Sequence, residues 1–259
     1  IQGMRANIDN SCDPSLEWFD LSGQGNDGTI GSFGSCNNNT GWNGDGSPGD
    51  PYRLEFDGTN DHVDFGDILG DDTVTDNFAF EVWVSPETTT SRTYLSNTPN
   101  GDTSGCKISA AGGSARFSCP GTTLVSSTNS MTVDEWNHIL ATRSAGANHI
   151  YLNGQKTTGV TAGTAVAAAD GFVIGRAYTD LAGTGALSGA LGYAAYYTKA
   201  FSDSEALQNF VALADRFRTL PLSGVSERGL VLQFDASNAK DRLRGNDDGH
   251  AQTRYGLTS

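Results

Sequence analysis

Residues 77–87, NFAFEVWVSPE, set Phe78, Phe80, Val82 and Val84 at every second position, and this period narrows the fold more than any other feature of the chain. Such alternation puts one set of side chains on one face of an extended strand, because successive Cβ atoms point to opposite sides. The pattern returns through residues 50–200. YRLEFDG (52–58) alternates before the turn DGTND, and HVDFGD follows that turn. HILATRS follows Trp136, HIYLNGQK (149–156) carries Asn-Gly at 153–154, and GFVIGRA (171–177) and ALGYAAYYT (190–198) complete the series. Asn-Gly between apolar strands is the strongest short-range hairpin signal. Strands recurring this way, with 33 glycines to supply turns, predict an all-β chain closed as a sandwich or barrel.

One segment has a different period. In FSDSEALQNFVALADRF (201–217), Ser202 and Glu205 form a capping-box pattern, and Phe201 stands where it would staple onto Ala206. Leu207, Phe210, Val211, Ala214 and Phe217 follow helical spacing on one stripe. The spacing predicts one short helix near residues 202–217, lying against the sandwich. Residues 1–217 then form one domain, and 218–228, with Pro221, Ser223 and Gly224, read as a linker. Beyond it the chain repeats its own beginning: GLVLQFDAS (229–237) aligns with GMRANIDNS (3–11), and LRGNDDG with LSGQGNDG. Residues 229–259 read as the opening strand and loop of an incomplete second repeat, or as an assembly tail; chance similarity is the alternative.

Charge limits the partners. The formal net charge is −14, so phosphate backbones and anionic headgroups are repelled, which excludes nucleic acid and membrane surfaces as expected partners. No apolar run approaches the ~20 residues of a spanning helix. The chain opens at Ile1 with no secretory hydrophobic segment, as a mature or excised segment would, and an incomplete chain fits equally well.

Four cysteines without zinc-type spacing predict two disulfides and an oxidising compartment, with four buried thiols as the alternative. If Gly112-Gly113 makes a two-residue turn, Cys106 faces Cys119 across an antiparallel pair, and a disulfide staples the hairpin. Cys12 and Cys36 then form the second bridge, closing the Gly/Asn-rich N-terminal loop.

Catalytic patterns are missing. Glycosidic cleavage needs two carboxylates around one bond, and acids two apart on a strand would supply them. Glu81 stands alone in its strand, Asp61, Asp64 and Asp67 are three apart across a turn, and Asp134-Glu135 reads as turn solvation. His62, His138, His149 and His250 have no metal-ligand spacing and read as surface or edge-strand residues; no Gly-x-Ser-x-Gly elbow marks a nucleophile. The chain is therefore expected not to be an enzyme. Asn38-Asn39-Thr40 is a glycosylation triplet of a kind that arises often by chance.

Trp83 is the candidate ligand-binding residue. It lies on the face opposite Phe78 and Phe80, beside Ala79 and Glu81, where it would make a sugar-stacking platform. The competing reading, which weighs more, has a second layer such as the helix covering it. Trp136 is expected to pack against the sandwich edge, and Trp18 and Trp42 to form a small local core in the N-terminal region.

LEFDGTNDHVDFG (54–66), FAFEVWVSP (78–86), DEWNHILATR (134–143), IYLNGQ (150–155), FVIGR (172–176) and YYTKAFSDSEALQNF (196–210) together resemble laminin-G-like, concanavalin-A-like jelly-roll domains. DLSGQGNDGTI (20–30) matches the stretch that commonly precedes them in bacterial, archaeal and viral members, so the resemblance covers roughly residues 1–217. It implies two antiparallel sheets packed face to face, in an extracellular binding or adhesion module. Many relatives hold a structural calcium ion with an Asp in a late strand reading Ile-Asp-Glu-Val. Here that stretch is Leu191-Gly192-Tyr193-Ala194, which puts such a site in doubt. Asp57, Asn60 and Asp61 remain candidate calcium ligands, or else form an Asx-rich turn. The expected function is a non-catalytic extracellular module that recognises glycans or a surface partner. The alternative is a structural or decoration subunit of a virion or cell-surface assembly, a homo-oligomer or filament in which 229–259 adds a strand to a sandwich.

Overall fold

The computed structural model describes residues 17–34, 40–47, 49–68, 77–97, 105–119, 125–144, 147–160, 171–177 and 185–218. Internal contacts divide the chain into Ile1–Thr219 and Leu220–Ser259, and every described residue belongs to the first unit. Cys12, Cys36, residues 3–11 of the repeat and residues 219–259 lie outside the described residues.

Strands come in chain order as β1 (Glu17–Trp18), β2 (Gly28–Gly31), β3 (Gly41–Asn43), β4 (Arg53–Asp57) and β5 (His62–Asp64). There follow β6 (Phe78–Pro86), β7 (Arg92–Ser96), β8 (Lys107–Ala111), β9 (Ser114–Ser118) and β10 (Val125–Ser130). The last are β11 (Asn137–Ser144), β12 (Ala147–Leu152), β13 (Gln155–Val160), β14 (Val173–Ile174) and β15 (Ser188–Tyr197), before helix α1 (Asp203–Phe217). Among the described residues they form an eight-stranded sheet, β1-β2-β5-β14-β7-β8-β9-β10, and a seven-stranded sheet, β13-β12-β11-β6-β15-β4-β3, with every pairing antiparallel. No helix among them is long and apolar enough to cross a membrane.

The core lies between the sheets. Phe78, Phe80, Val82 and Val84 enter it from β6, and Ile108, Ala110, Ala115 and Phe117 face them from β8 and β9, all fully or almost fully buried. Alternation in the sequence thus becomes two apolar faces closed on each other. Trp18 and Trp42 meet edge to face at 5.3 Å and pack against this main core, not in a local one of their own.

Turn chemistry sets the registers. Gly112 and Gly113, at φ 61° and 87°, occupy the left-handed region that a two-residue primed turn demands. Lys107 therefore faces Ser118, and one position further out Cys106 and Cys119 join as a disulfide, with Cα atoms 4.2 Å apart. Asn153 and Gly154 turn β12 into β13 in the same way, at φ 53° and 77°.

The helix begins where the capping box places it. Ser202 accepts the Glu205 amide, and the Glu205 carboxylate accepts the Ser202 amide at 2.9 Å. Its buried stripe differs from the expected one: Ala206, Ala214 and Phe217 are buried and Phe210 and Leu213 partly so, whereas Leu207 and Val211 are 49% and 60% exposed. Phe210 and Phe217 both stack on Trp83, and that contact rolls the helix so that 207 and 211 turn outward.

Candidate functional site

Each sheet has an outer face, and the two differ. On the seven-stranded sheet that face carries Ala79, Glu81 and Trp83 from β6, His138 and Leu140 from β11, Tyr151 from β12, and Tyr193 and Tyr197 from β15. The β15 residues reach it through a bulge. Leu191 pairs with Val84 and faces the core, Gly192 is left unpaired, and Tyr193 then pairs with Trp83 on the outside.

α1 lies on this face. Trp83 has no exposed surface; it stacks on Phe217 at 4.8 Å and Phe210 at 5.7 Å, with interplanar angles of 16° and 10°. A sugar-stacking role for Trp83 is thereby corrected: the helix occupies the ring face that a sugar would need. Trp136 packs on Phe217 at 4.8 Å and joins the same cluster beneath the helix. Gly192 has a steric reason to be glycine, since a Cβ there would run into the Phe217 ring and come within 3.2 Å of Trp136. Aromatic cover thus fills the place where the family resemblance implies an Asp.

Beneath the helix sits a closed polar network. His138 Nε2 donates to Glu81 Oε1 at 2.7 Å, and Tyr197 Oη and Asn209 Nδ2 donate to Glu81 Oε2 at 2.7 and 3.0 Å. Tyr193 and Tyr197 share a hydroxyl contact of 3.0 Å. Burial raises the pKa of both tyrosines, and the Glu81 charge raises them further. His138 is a fully buried residue of a central strand, not a surface one: Glu81 on the next strand pairs with its Nε2, while its Nδ1 is buried without a hydrogen-bond partner. The pairing joins residues 57 apart in sequence, and only the register of β6 against β11 brings them together.

The DGTND turn holds the candidate calcium ligands. Asp57 is exposed and its Oδ1 accepts the Thr59 amide at 2.7 Å, while Asp61 Oδ2 accepts the Asp57 amide at 2.9 Å. The Asn60 carbonyl faces His62 Nδ1 at 2.9 Å. These are the contacts of an Asx-rich turn. Asp61 Oδ1 is buried without a hydrogen-bond partner, and no three His, Cys, Asp or Glu side chains converge among the described residues. Calcium takes six to eight oxygens, so Asp61 Oδ1 would need further side-chain or backbone oxygens beside it to hold the ion.

Burial, reinforced by the Asp57 charge, pushes Asp61 up to about 7, against the lowering effect of the Asp57 amide. The folded chain then keeps a proton that the unfolded chain releases near pH 4. Between about pH 4 and 7 the folded state binds more protons, and stability falls as pH rises through that window. Urea midpoints should therefore drop from pH 5 to pH 8 in the wild type and drop less in Asp61→Asn. Adding calcium at pH 8 separates the two readings of this turn: unmoved midpoints leave an Asx-rich turn, and a calcium-dependent rise that Asp61→Asn abolishes makes it a metal site.

The eight-stranded sheet is different outside. Val63, Ile174, Leu95, Ile108 and Phe117 form its inward row, so the next row, Asp64, Val173, Ser96, Lys107 and Ser118, faces out. A second outward row holds Thr93, Ser109, Arg116 and Ser126. Lys107, Ser109, Arg116, Ser118 and Ser126 are half-buried, Asp64 likewise, and Ser96 and Val173 are covered. At the β5 side lies His62, whose pKa burial lowers and the nearby Arg176 charge lowers further. Hydroxyls and cations on a sheet face are hydrogen-bonding groups for a ligand. Apart from His62 and Asp64, these residues were not singled out in the sequence, where their only signal is the polar half of the alternation.

A two-sheet antiparallel sandwich with one outer face capped by a helix and the other polar has the architecture of a lectin-like domain. The chain belongs to the concanavalin A-like lectin/glucanases superfamily, whose laminin G-type model matches residues 57–206. No curated protein matches the chain. Among solved structures, the botulinum neurotoxin serotype G binding domain superposes with a TM-score of 0.55 at 16% identity, over 76% of this chain and 48% of that one. The binding domain of Paraclostridial Mosquitocidal Protein 1 gives 0.52 at 15% identity, over 75% and 49%. The chain thus spans about half the length of these toxin domains. Domain 4 of AbnA, a GH43 extracellular arabinanase from Geobacillus stearothermophilus, in complex with arabinotriose, gives 0.48 at 17% identity, over 61% and 75%, too low a score to carry an argument. Identities of this size show the fold alone.

Proposed function

We propose that this protein is a non-catalytic extracellular binding module that recognises glycans through the outer face of its eight-stranded sheet. The observation that carries this reading is the asymmetry of the two faces: α1 seals Trp83 and Glu81 beneath it, whereas the opposite sheet presents Ser109, Arg116, Ser118 and Ser126. Lectin-like membership of the family supports the ligand class. The Cys106–Cys119 disulfide supports an oxidising, extracellular setting. Absence of catalysis is argued from Glu81, whose two oxygens are taken by His138, Tyr197 and Asn209 out of reach of a substrate.

Binding to a panel of immobilised polysaccharides, followed by an assay of the same wells for released reducing ends, tests the reading. Retention on at least one polysaccharide without release is the expected result. Release of reducing sugar would make the protein an enzyme, and silence across the panel would remove glycans as its ligand.

A further inference from the structure

Asn-Gly occurs at 43–44, 100–101 and 153–154 in this chain. Residues 100–101 lie outside the described residues, and the other two pairs are held in different ways. Asn153 sits in the β12–β13 turn at φ 53°, tied twice to β11. Its amide donates to the His138 carbonyl at 2.8 Å, and its Oδ1 accepts the His138 amide at 2.8 Å. The carboxamide of Asn153 is thus engaged by another strand.

Asn43 is the half-buried last residue of β3. Among the described residues its side chain has a single hydrogen bond: Oδ1 accepts the amide of Gly44, the next residue, at 2.8 Å. Gly44 lies at φ 91°, and a Cβ there would run into the Pro51 carbonyl, so the turn demands glycine. The same requirement leaves the Gly44 nitrogen unshielded by any side chain of its own and holds it against the Asn43 carboxamide.

We propose that Asn43 is a site of spontaneous covalent modification in the folded protein, through attack of the Gly44 nitrogen on the Asn43 side-chain carbonyl carbon. The bond from Gly44 N to Cγ forms, the bond from Cγ to Nδ2 breaks, and the Gly44 amide proton leaves with Nδ2 as ammonia. Solvent water then opens the five-membered succinimide at either carbonyl, giving aspartate or isoaspartate at position 43. Holding the two reacting groups together beforehand is what speeds such a ring closure. The products differ in consequence. Aspartate keeps the backbone length and puts its carboxylate across from Arg53, the partner of position 43 on β4. Isoaspartate adds a methylene to the main chain between the Trp42–Leu54 pair and a turn packed tightly on Pro51. That strain releases β3, and β4 becomes a bare sheet edge.

The whole chain is incubated at pH 8, folded or in urea, then digested, and conversion at positions 43 and 153 is read from peptide masses. An isoaspartate-specific methyltransferase labels the isoaspartate. In the folded protein position 43 should convert faster than position 153 by about tenfold or more, because Asn153 must first leave both hydrogen bonds to His138. In urea those bonds are gone, and the two positions should convert at similar rates. Asn43→Gln, whose ring would need six members, should abolish conversion at position 43 and leave position 153 as it was. Equal rates at the two positions of the folded protein, or no conversion at either, would overturn the proposal. A preference for position 43 that persists undiminished in urea would overturn it too, since it would then come from the local sequence. Labelled protein should also unfold at lower urea than Asn43→Asp, which carries the charge without the methylene; equal midpoints would overturn the release of β3.

Discussion

Replacing Glu81 by alanine is expected to lower the unfolding free energy by about 3–5 kcal/mol, because three donors beneath the helix lose their acceptor, at about 1–3 kcal/mol for each donor left buried and unpaired. The arithmetic is local. His138 is fully buried and loses the acceptor 2.7 Å from its Nε2; Tyr197 and Asn209 lose theirs at 2.7 and 3.0 Å. No water reaches His138 or Glu81, so nothing in the folded state replaces what is lost. Urea denaturation followed by tryptophan fluorescence would read the shift directly. A loss under about 1 kcal/mol would mean that the network is relaxed and solvated. Glu81→Gln, which keeps the shape and two hydrogen-bonding atoms, should cost visibly less.

Trp83→Ala carries the second large effect. The indole is sandwiched between the sheet and the rings of Phe210 and Phe217, and deleting it leaves a cavity that a rigid sheet cannot close. Tryptophan or phenylalanine to alanine in such a place costs about 3–5 kcal/mol. The functional part of the prediction separates this residue from a ligand site: protein that remains folded should hold its polysaccharide as the wild type does. Weakened binding by a folded Trp83→Ala protein, measured at a temperature well below its melting point, would put the ligand on the helix side.

Local signals in the sequence carried far. The Gly112-Gly113 turn fixed the register that makes Cys106 face Cys119, because a two-residue hairpin leaves only one pairing. Ser202 and Glu205 located the helix start, since a capping box lies within one turn. Asn153-Gly154 did the same for β12 and β13. What stayed hidden was set by partners distant along the chain. Alternation in β6 shows that Trp83 opposes Phe80 but not which face receives a cover; that depends on Phe210 and Phe217, well over a hundred residues later. His138 read as a surface residue because its partner lies on another strand. Short strands such as β1, β3 and β14 carry too few residues to show a period. The polar outer face shares this difficulty: Arg116 sits in an unremarkable Ser-Ala-Arg-Phe-Ser segment, and only its missing counter-ion marks it.

The unpaired glycine in β15 has a wider bearing. Upstream of it the strand feeds Leu191 to the interior; downstream, the inside-outside phase is inverted and Tyr193 and Tyr197 serve the helix. One backbone unit therefore decides which of two hydrophobic compartments the remaining side chains enter. Insertions and deletions that drift freely through the loops of such a domain would here swap hydroxyl-bearing rings into the interior, so the length of this strand is far less negotiable than its composition.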